Sequence, residues 1–113
     1  MAIQISGTPV INDQKEIATG LASLYDRVFS VGVSTTLQNR DFCSVTASGI
    51  TVTLPATPSS GNQVTVKVGN FTDTIIGRNG SNIMSLAENM TIDAVNSTVD
   101  LIYVNATNGW EIT

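Results

Sequence analysis

Ile50-Thr51-Val52-Thr53-Leu54-Pro55 decides how this chain folds. Apolar and hydroxylated side chains alternate with period two, which sends one set to each face of a strand. Pro55, which has no backbone N–H, ends the run. Val64-Thr65-Val66-Lys67-Val68 repeats the alternation and stops at Gly69-Asn70. Working outward, Thr72–Ile76 runs to Gly77, and Asn79-Gly80 is a strong turn signal. Ile83–Leu86, Met90–Ile92, Val99–Tyr103 and Trp110–Ile112 continue the series of short runs between turn residues. This spacing predicts a mainly β chain, with an antiparallel β-sandwich or jelly-roll-like head over residues 37–113. Threonine suits the outer faces, where its β-branched side chain fits the pleat and its hydroxyl is solvated. Cys43, on an expected strand, reads as a small buried apolar residue.

Residues 1–36 have a different character. Ile3-Gln4-Ile5 and Val10-Ile11 flank the turn signal Ser6-Gly7-Thr8-Pro9, the pattern of a small hairpin or an extended arm. Asp13 has the position of a helix N-cap, with Glu16 three residues on as in a capping box. Ile17, Leu21, Leu24 and Val28 recur at helical spacing, which points to a short helix over about 14–29. Gly20 weakens that helix by about 1 kcal/mol relative to alanine. A strand over Val28–Val33 competes with it. The division expected is an N-terminal arm or attachment segment over 1–36, with Ile3, Ile5, Val10 and Ile11 as its apolar contacts, and a head over 37–113.

Composition removes most chemistry. The 113 residues contain no histidine and one cysteine, so neither a Ser-His-Asp set nor a Cys-His pair can be assembled within the chain. The usual zinc sets fail for the same reason, and no internal disulfide can form. Five Lys and Arg against nine Asp and Glu give a net charge of −4, which leaves no basic patch for a nucleic-acid backbone. Lys15, Arg27 and Arg40 balance Asp13, Glu16 and Asp26 within residues 1–40, so the whole net charge falls on the β part. No apolar run approaches the roughly 20 residues of a membrane helix. The first residues show no secretory signal, so synthesis in the cytoplasm is expected. No tandem repeat of solenoid or propeller period is visible.

Three kinds of site remain to weigh. A carboxylate pair drawn from Asp73, Glu88, Asp93 and Asp100 could hydrolyse glycosidic bonds, but their spacing brings no pair onto one face. Asn89, Asp93, Asn96 and Asp100 carry oxygen ligands suited to calcium without the order of a calcium-binding loop, and they read as turn residues. Tyr103 and Trp110 lie on expected strands either side of a turn and would face each other, either as core packing or as a platform for a glycan. No catalytic residue, metal or cofactor is expected, and the chain is not expected to be an enzyme.

The ordered string Gly49-Ile-Thr-Val-Thr-Leu-Pro55-Ala, Pro58-Ser-Ser-Gly61, Val64–Val68, Ile75-Ile-Gly-Arg-Asn79-Gly80-Ser-Asn-Ile83, Leu101-Ile-Tyr103 and Gly109-Trp110 resembles a β-module of tail-fibre and other virion proteins of tailed bacteriophages, including those of cyanobacteria. Ile5-Ser-Gly-Thr-Pro-Val-Ile11 is similar to the start of such fibre proteins. The resemblance implies a homotrimeric structural appendage in the virion, attached to tail, baseplate or capsid proteins. It brings no enzymatic residues. The chain departs from a typical fibre in lacking a long shaft, so a short tail or baseplate fibre and a capsid decoration protein both stay open. A host-surface glycan is a further partner to consider.

Overall fold

The structure, a computed structural model, describes residues 24–113. Among these residues nine strands follow in chain order: β1 (Arg27–Val31), β2 (Thr35–Thr36), β3 (Asp41–Val45), β4 (Thr51–Thr53), β5 (Gln63–Val68), β6 (Thr74–Gly77), β7 (Met90–Ile92), β8 (Thr98–Asn105) and β9 (Gly109–Ile112). They form a five-stranded sheet in the order β9-β8-β5-β3-β1 and a four-stranded sheet in the order β2-β4-β6-β7. The mainly β expectation holds.

Its antiparallel part does not. β1, β3 and β5 pair in parallel in one sheet, and β2, β4 and β6 pair in parallel in the other. Only β7, β8 and β9 enter antiparallel. The first six strands therefore alternate between sheets and wind as three coils. Arg27 lies opposite Asp41, and Asp41 opposite Val64, so successive rungs are unequal in length. A coil that needs no fixed length leaves no period in the sequence, which is why the winding shows no repeat.

One core draws on both sheets. Cys43, Val45, Val64, Val66, Val68, Leu101 and Trp110 come from the larger sheet, and Val52, Ile76 and Ile92 from the smaller. Leu37, Ile50, Leu54 and Ile83 join them from the connections. The alternation read in Ile50–Leu54 is the observed one: Ile50, Val52 and Leu54 are buried, while Thr51 and Thr53 are half-exposed. Fully burying a side chain of this size contributes about 1.5–3 kcal/mol.

Two expectations on the N-terminal part change. Residues 24–29 are not helical, and the competing strand forms over Arg27–Val31. Leu24 and Val28 are 63% and 71% exposed, so the helical stripe buries nothing here. Pairing along β3 outweighs that local pattern, helped by the β-branched and aromatic residues of β1. Because β1 and β2 are built into the two sheets, residues 27–36 belong with the head and the division does not run at 36/37. The earlier part of the expected helix lies outside the described residues.

Candidate functional site

Tyr103 and Trp110 are brought together. They are register partners on β8 and β9, with ring centroids 5.5 Å apart and planes at 65°. The side chain of Asn105 starts the turn that joins them, accepting from the backbone N–H groups of Thr107 (3.0 Å) and Asn108 (2.7 Å). Gly109 then takes φ 71° as the chain bulges into β9. Trp110 is wholly buried, so it presents no face to a sugar, and Tyr103 packs half-buried against the same core. Ile3, Ile5, Val10 and Ile11 lie outside the described residues.

The acidic and amidic candidates are dispersed into local roles. Asn89 accepts from the Arg78 N–H at 2.9 Å, and Asn96 takes φ 55° while its N–H bonds Gly69 C=O. Among the described residues no three His, Cys, Asp or Glu side chains gather as a metal site. Asp100 alone enters a constellation. Its carboxylate accepts the Thr65 hydroxyl at 2.6 Å, and the Tyr25 hydroxyl lies 3.1 Å from the same Thr65 oxygen. Thr65 has one proton and the carboxylate takes it, so Tyr25 donates to Thr65.

These groups occupy the outer face of the five-stranded sheet. Val28, Phe42, Thr65 and Asp100 are register neighbours across β1, β3, β5 and β8. Tyr25 rests edge-on against Phe42, with centroids 5.3 Å apart. A depression of about 210 Å³ opens beside it, lined by Leu24, Tyr25, Thr65, Asp100, Ile102 and Thr113 among others. Leu24, Val28 and Val33 are exposed at 63%, 71% and 70%, all within residues 24–33. This face and its β1 edge form the candidate interaction surface.

The opposite side of the same strands holds the buried charge. Asp41 is fully buried and accepts from Arg27 Nε (2.8 Å) and Nη2 (2.5 Å) and from the Gln38 N–H (2.7 Å). The carboxylate in turn holds the Arg27 guanidinium proton more firmly than usual, through the hydrogen bond first and charge second. The guanidinium also lies 4.9 Å from the centroid of the Phe29 ring. Two residues on, burial, with a further contribution from the Asp41 charge, pushes the Cys43 thiol up to about 11. This thiol is inert at neutral pH, since the thiolate is the reactive form.

Sequence reading missed the Tyr25–Thr65–Asp100 cluster and the Arg27–Asp41 pair. Both depend on register between strands far apart in the chain. Only the equal 14-residue separations of Arg27 from Asp41 and of Asp26 from Arg40 hint at the first coil.

No protein-family model matches the chain, and no curated protein matches it.

Proposed function

We propose that this chain is a structural component of a tailed-bacteriophage virion: a short homotrimeric fibre held to the tail or baseplate. The observation that carries the reading is the exposure of Leu24, Val28 and Val33 where the N-terminal segment enters the sheets. These exposed apolar groups follow directly in sequence on the segment expected to make the attachment. The similarity of the Gly49–Trp110 string to virion β-modules supplies the class of assembly. The lack of histidine is in keeping with a scaffold.

Stoichiometry and position in purified particles test it. A few trimers at the tail are expected; hundreds of copies on the head mean capsid decoration instead, and absence from particles ends both. Removing residues 1–23, and not 1–36, is the informative truncation, because 27–36 are sheet strands. The shortened chain should keep its β spectrum and lose attachment.

A glycan-binding role is favoured by one observation of its own. The depression beside Tyr25 pairs an aromatic ring with a carboxylate and hydroxyl groups, the chemistry that meets a pyranose. Asp100→Asn should then weaken glycan-array binding without unfolding; an unchanged array profile removes this role.

A further inference from the structure

Two Asn-Gly pairs stand in the chain, Asn79-Gly80 and Asn108-Gly109. Such a pair carries both partners of a ring closure: the glycine nitrogen is the nucleophile and the asparagine amide carbon the target. Glycine brings no side chain to crowd the attack. As dipeptides the two are identical, and only their surroundings in the fold separate them.

Asn79 and Gly80 are the central residues of a turn, with φ 50° and 89°, closed by the Ser81 N–H on the Arg78 C=O at 3.1 Å. Positive φ at both positions marks a type I′ turn. Both residues are exposed, and among the described residues no hydrogen bond holds the peptide group between them. A Cβ on Gly80 would meet nothing within 4 Å, so this peptide has room to turn. The Asn79 amide makes one hydrogen bond, from Nδ2 to the Leu54 C=O at 2.9 Å. Arg78 stands on the same turn, its Nη1 donating to the Ser81 C=O at 3.0 Å, and among the described residues no carboxylate pairs with it.

Asn108-Gly109 is the same pair under restraint. Asn108 Nδ2 donates to the Glu111 carboxylate at 2.8 Å, a charge-assisted bond roughly twice as strong as one to a carbonyl. The Asn108 N–H bonds the Asn105 side chain (2.7 Å), and its C=O accepts from the Ser85 N–H (2.9 Å). Gly109 is buried against residues 82–86, which cover the β9 edge: the Trp110 N–H bonds Asn82 C=O (2.8 Å), and the Met84 N–H bonds Trp110 C=O (2.7 Å). The peptide between Asn108 and Gly109 cannot rotate without breaking these bonds. Charge divides the pairs as well. The attacking nitrogen must lose its proton, so negative charge develops on the closing ring. The Arg78 cation favours that charge, and the Glu111 carboxylate opposes it.

We propose that Asn79 is a site of self-modification, and that its surroundings keep Asn108 from the same reaction. The Gly80 nitrogen gives its proton to hydroxide and bonds to Asn79 Cγ. The Cγ–Nδ2 bond breaks, and Nδ2 takes a proton from water and leaves as ammonia, which returns the hydroxide. One water then opens the five-membered imide at either carbonyl, leaving aspartate or isoaspartate at position 79. Nothing is oxidised or reduced. The product adds one negative charge to the net −4 and sets a carboxylate where the Leu54 C=O had a donor. Leu54 is then tied to the end of β6 only by its N–H on the Gly77 C=O at 2.8 Å. The reaction asks nothing of a partner, so it stands apart from the appendage reading.

The test ages the full chain in heavy-oxygen water at neutral and at mildly alkaline pH. No Lys or Arg follows Arg78, so trypsin releases residues 79–113 as one peptide holding both pairs, and fragmentation assigns each site. Position 79 should take up one heavy oxygen roughly tenfold faster than position 108, ~1.4 kcal/mol in the barrier, and faster as pH rises. In urea that ratio should collapse, because the restraints on Asn108 are gone. Arg78→Gln should slow the reaction at 79, Arg78→Lys should restore it, and Glu111→Gln should speed the reaction at 108. Gly80→Ala should slow position 79 by crowding the nitrogen. Asn79→Asp, the product made directly, should keep the circular dichroism of the parent and lower its urea midpoint. Equal rates at 79 and 108 in the folded chain overturn the proposal. So does an Asn79 that keeps its amide while the urea-unfolded chain loses it. A folded Arg78→Gln protein with an unchanged rate overturns the part given to the cation. If that variant fails to fold, the ratio of the two rates in the parent, folded against unfolded, decides.

Discussion

Gly109→Ala isolates the contact that closes the β9 edge. Gly109 has φ 71°, and a Cβ placed on it would lie 1.9 Å from Asn82 O and 2.4 Å from Asn82 C. Those atoms are backbone, so no rotamer change relieves the overlap. Ordinary contact begins near 3.4 Å, so residues 82–86 must retreat by about 1.5 Å. That retreat breaks the 2.8 Å bond from the Trp110 N–H to Asn82 C=O and strains those from Met84 and Ser85. Three backbone hydrogen bonds at ~0.5–1.5 kcal/mol each, plus ~1–2 kcal/mol for an alanine in the left-handed region, give a loss of ~2.5–6.5 kcal/mol. Gly80→Ala is the control. At φ 89° with nothing within 4 Å of its Cβ, it should cost ~1–2 kcal/mol from backbone conformation alone. Urea unfolding followed by the fluorescence of Trp110, the chain's one tryptophan, reads both variants. With an m-value of ~1–2 kcal/mol/M, the Gly109→Ala midpoint should fall by at least ~1.2 M. A Gly109→Ala protein within ~1 kcal/mol of the Gly80→Ala protein would refute the edge-closing account.

Three further outcomes are expected. Met84 and Ser85 both have positive φ (52° and 67°) in the two-residue turn between Ile83 and Leu86, so Ser85→Gly should stabilise by ~1 kcal/mol in the same urea assay. The Thr74 hydroxyl is buried with no hydrogen-bond partner among the described residues, so Thr74→Val should be neutral or raise stability by ~1 kcal/mol, and a clear loss would point to an unseen partner. Between pH 9 and about 11 the unfolded Cys43 thiol loses a proton that the folded one keeps. Stability should therefore fall as pH rises through that window, and Cys43→Ala should flatten the fall in pH-dependent unfolding.

Strand positions were legible because period-two alternation is a local property. Ile50-Thr-Val-Thr-Leu and Val64-Thr-Val-Lys-Val each carry their facing in five residues, and the structure buries the apolar set of both. Parallel pairing was not legible, because it is fixed by which distant strands meet. Ile83–Leu86 illustrates a second limit. Its apolar ends read as a strand, yet the segment is a tight turn closed by mutual hydrogen bonds between Ile83 and Leu86, with no glycine to announce it. The facing of Trp110 and Tyr103 across their turn was legible, but that pairing does not say which face of the sheet they occupy. They fall on the inner one beside Leu101, while the row carrying Thr65 and Asp100 falls on the outer one.

The unequal edges also give the winding a direction. A parallel coil cannot close on itself, so each end leaves a strand whose outer backbone groups need water or a partner. At the C-terminal end the chain supplies its own answer: β7, β8 and β9 turn back antiparallel, and residues 82–86 seal the last edge. At the N-terminal end β1 begins the winding with Val28 and Ser30 outward and nothing from the described residues beside them. At that end the charge of Arg27 is met by the buried carboxylate of Asp41 on the neighbouring strand, so β1 brings no unpaired side-chain charge to its outer side.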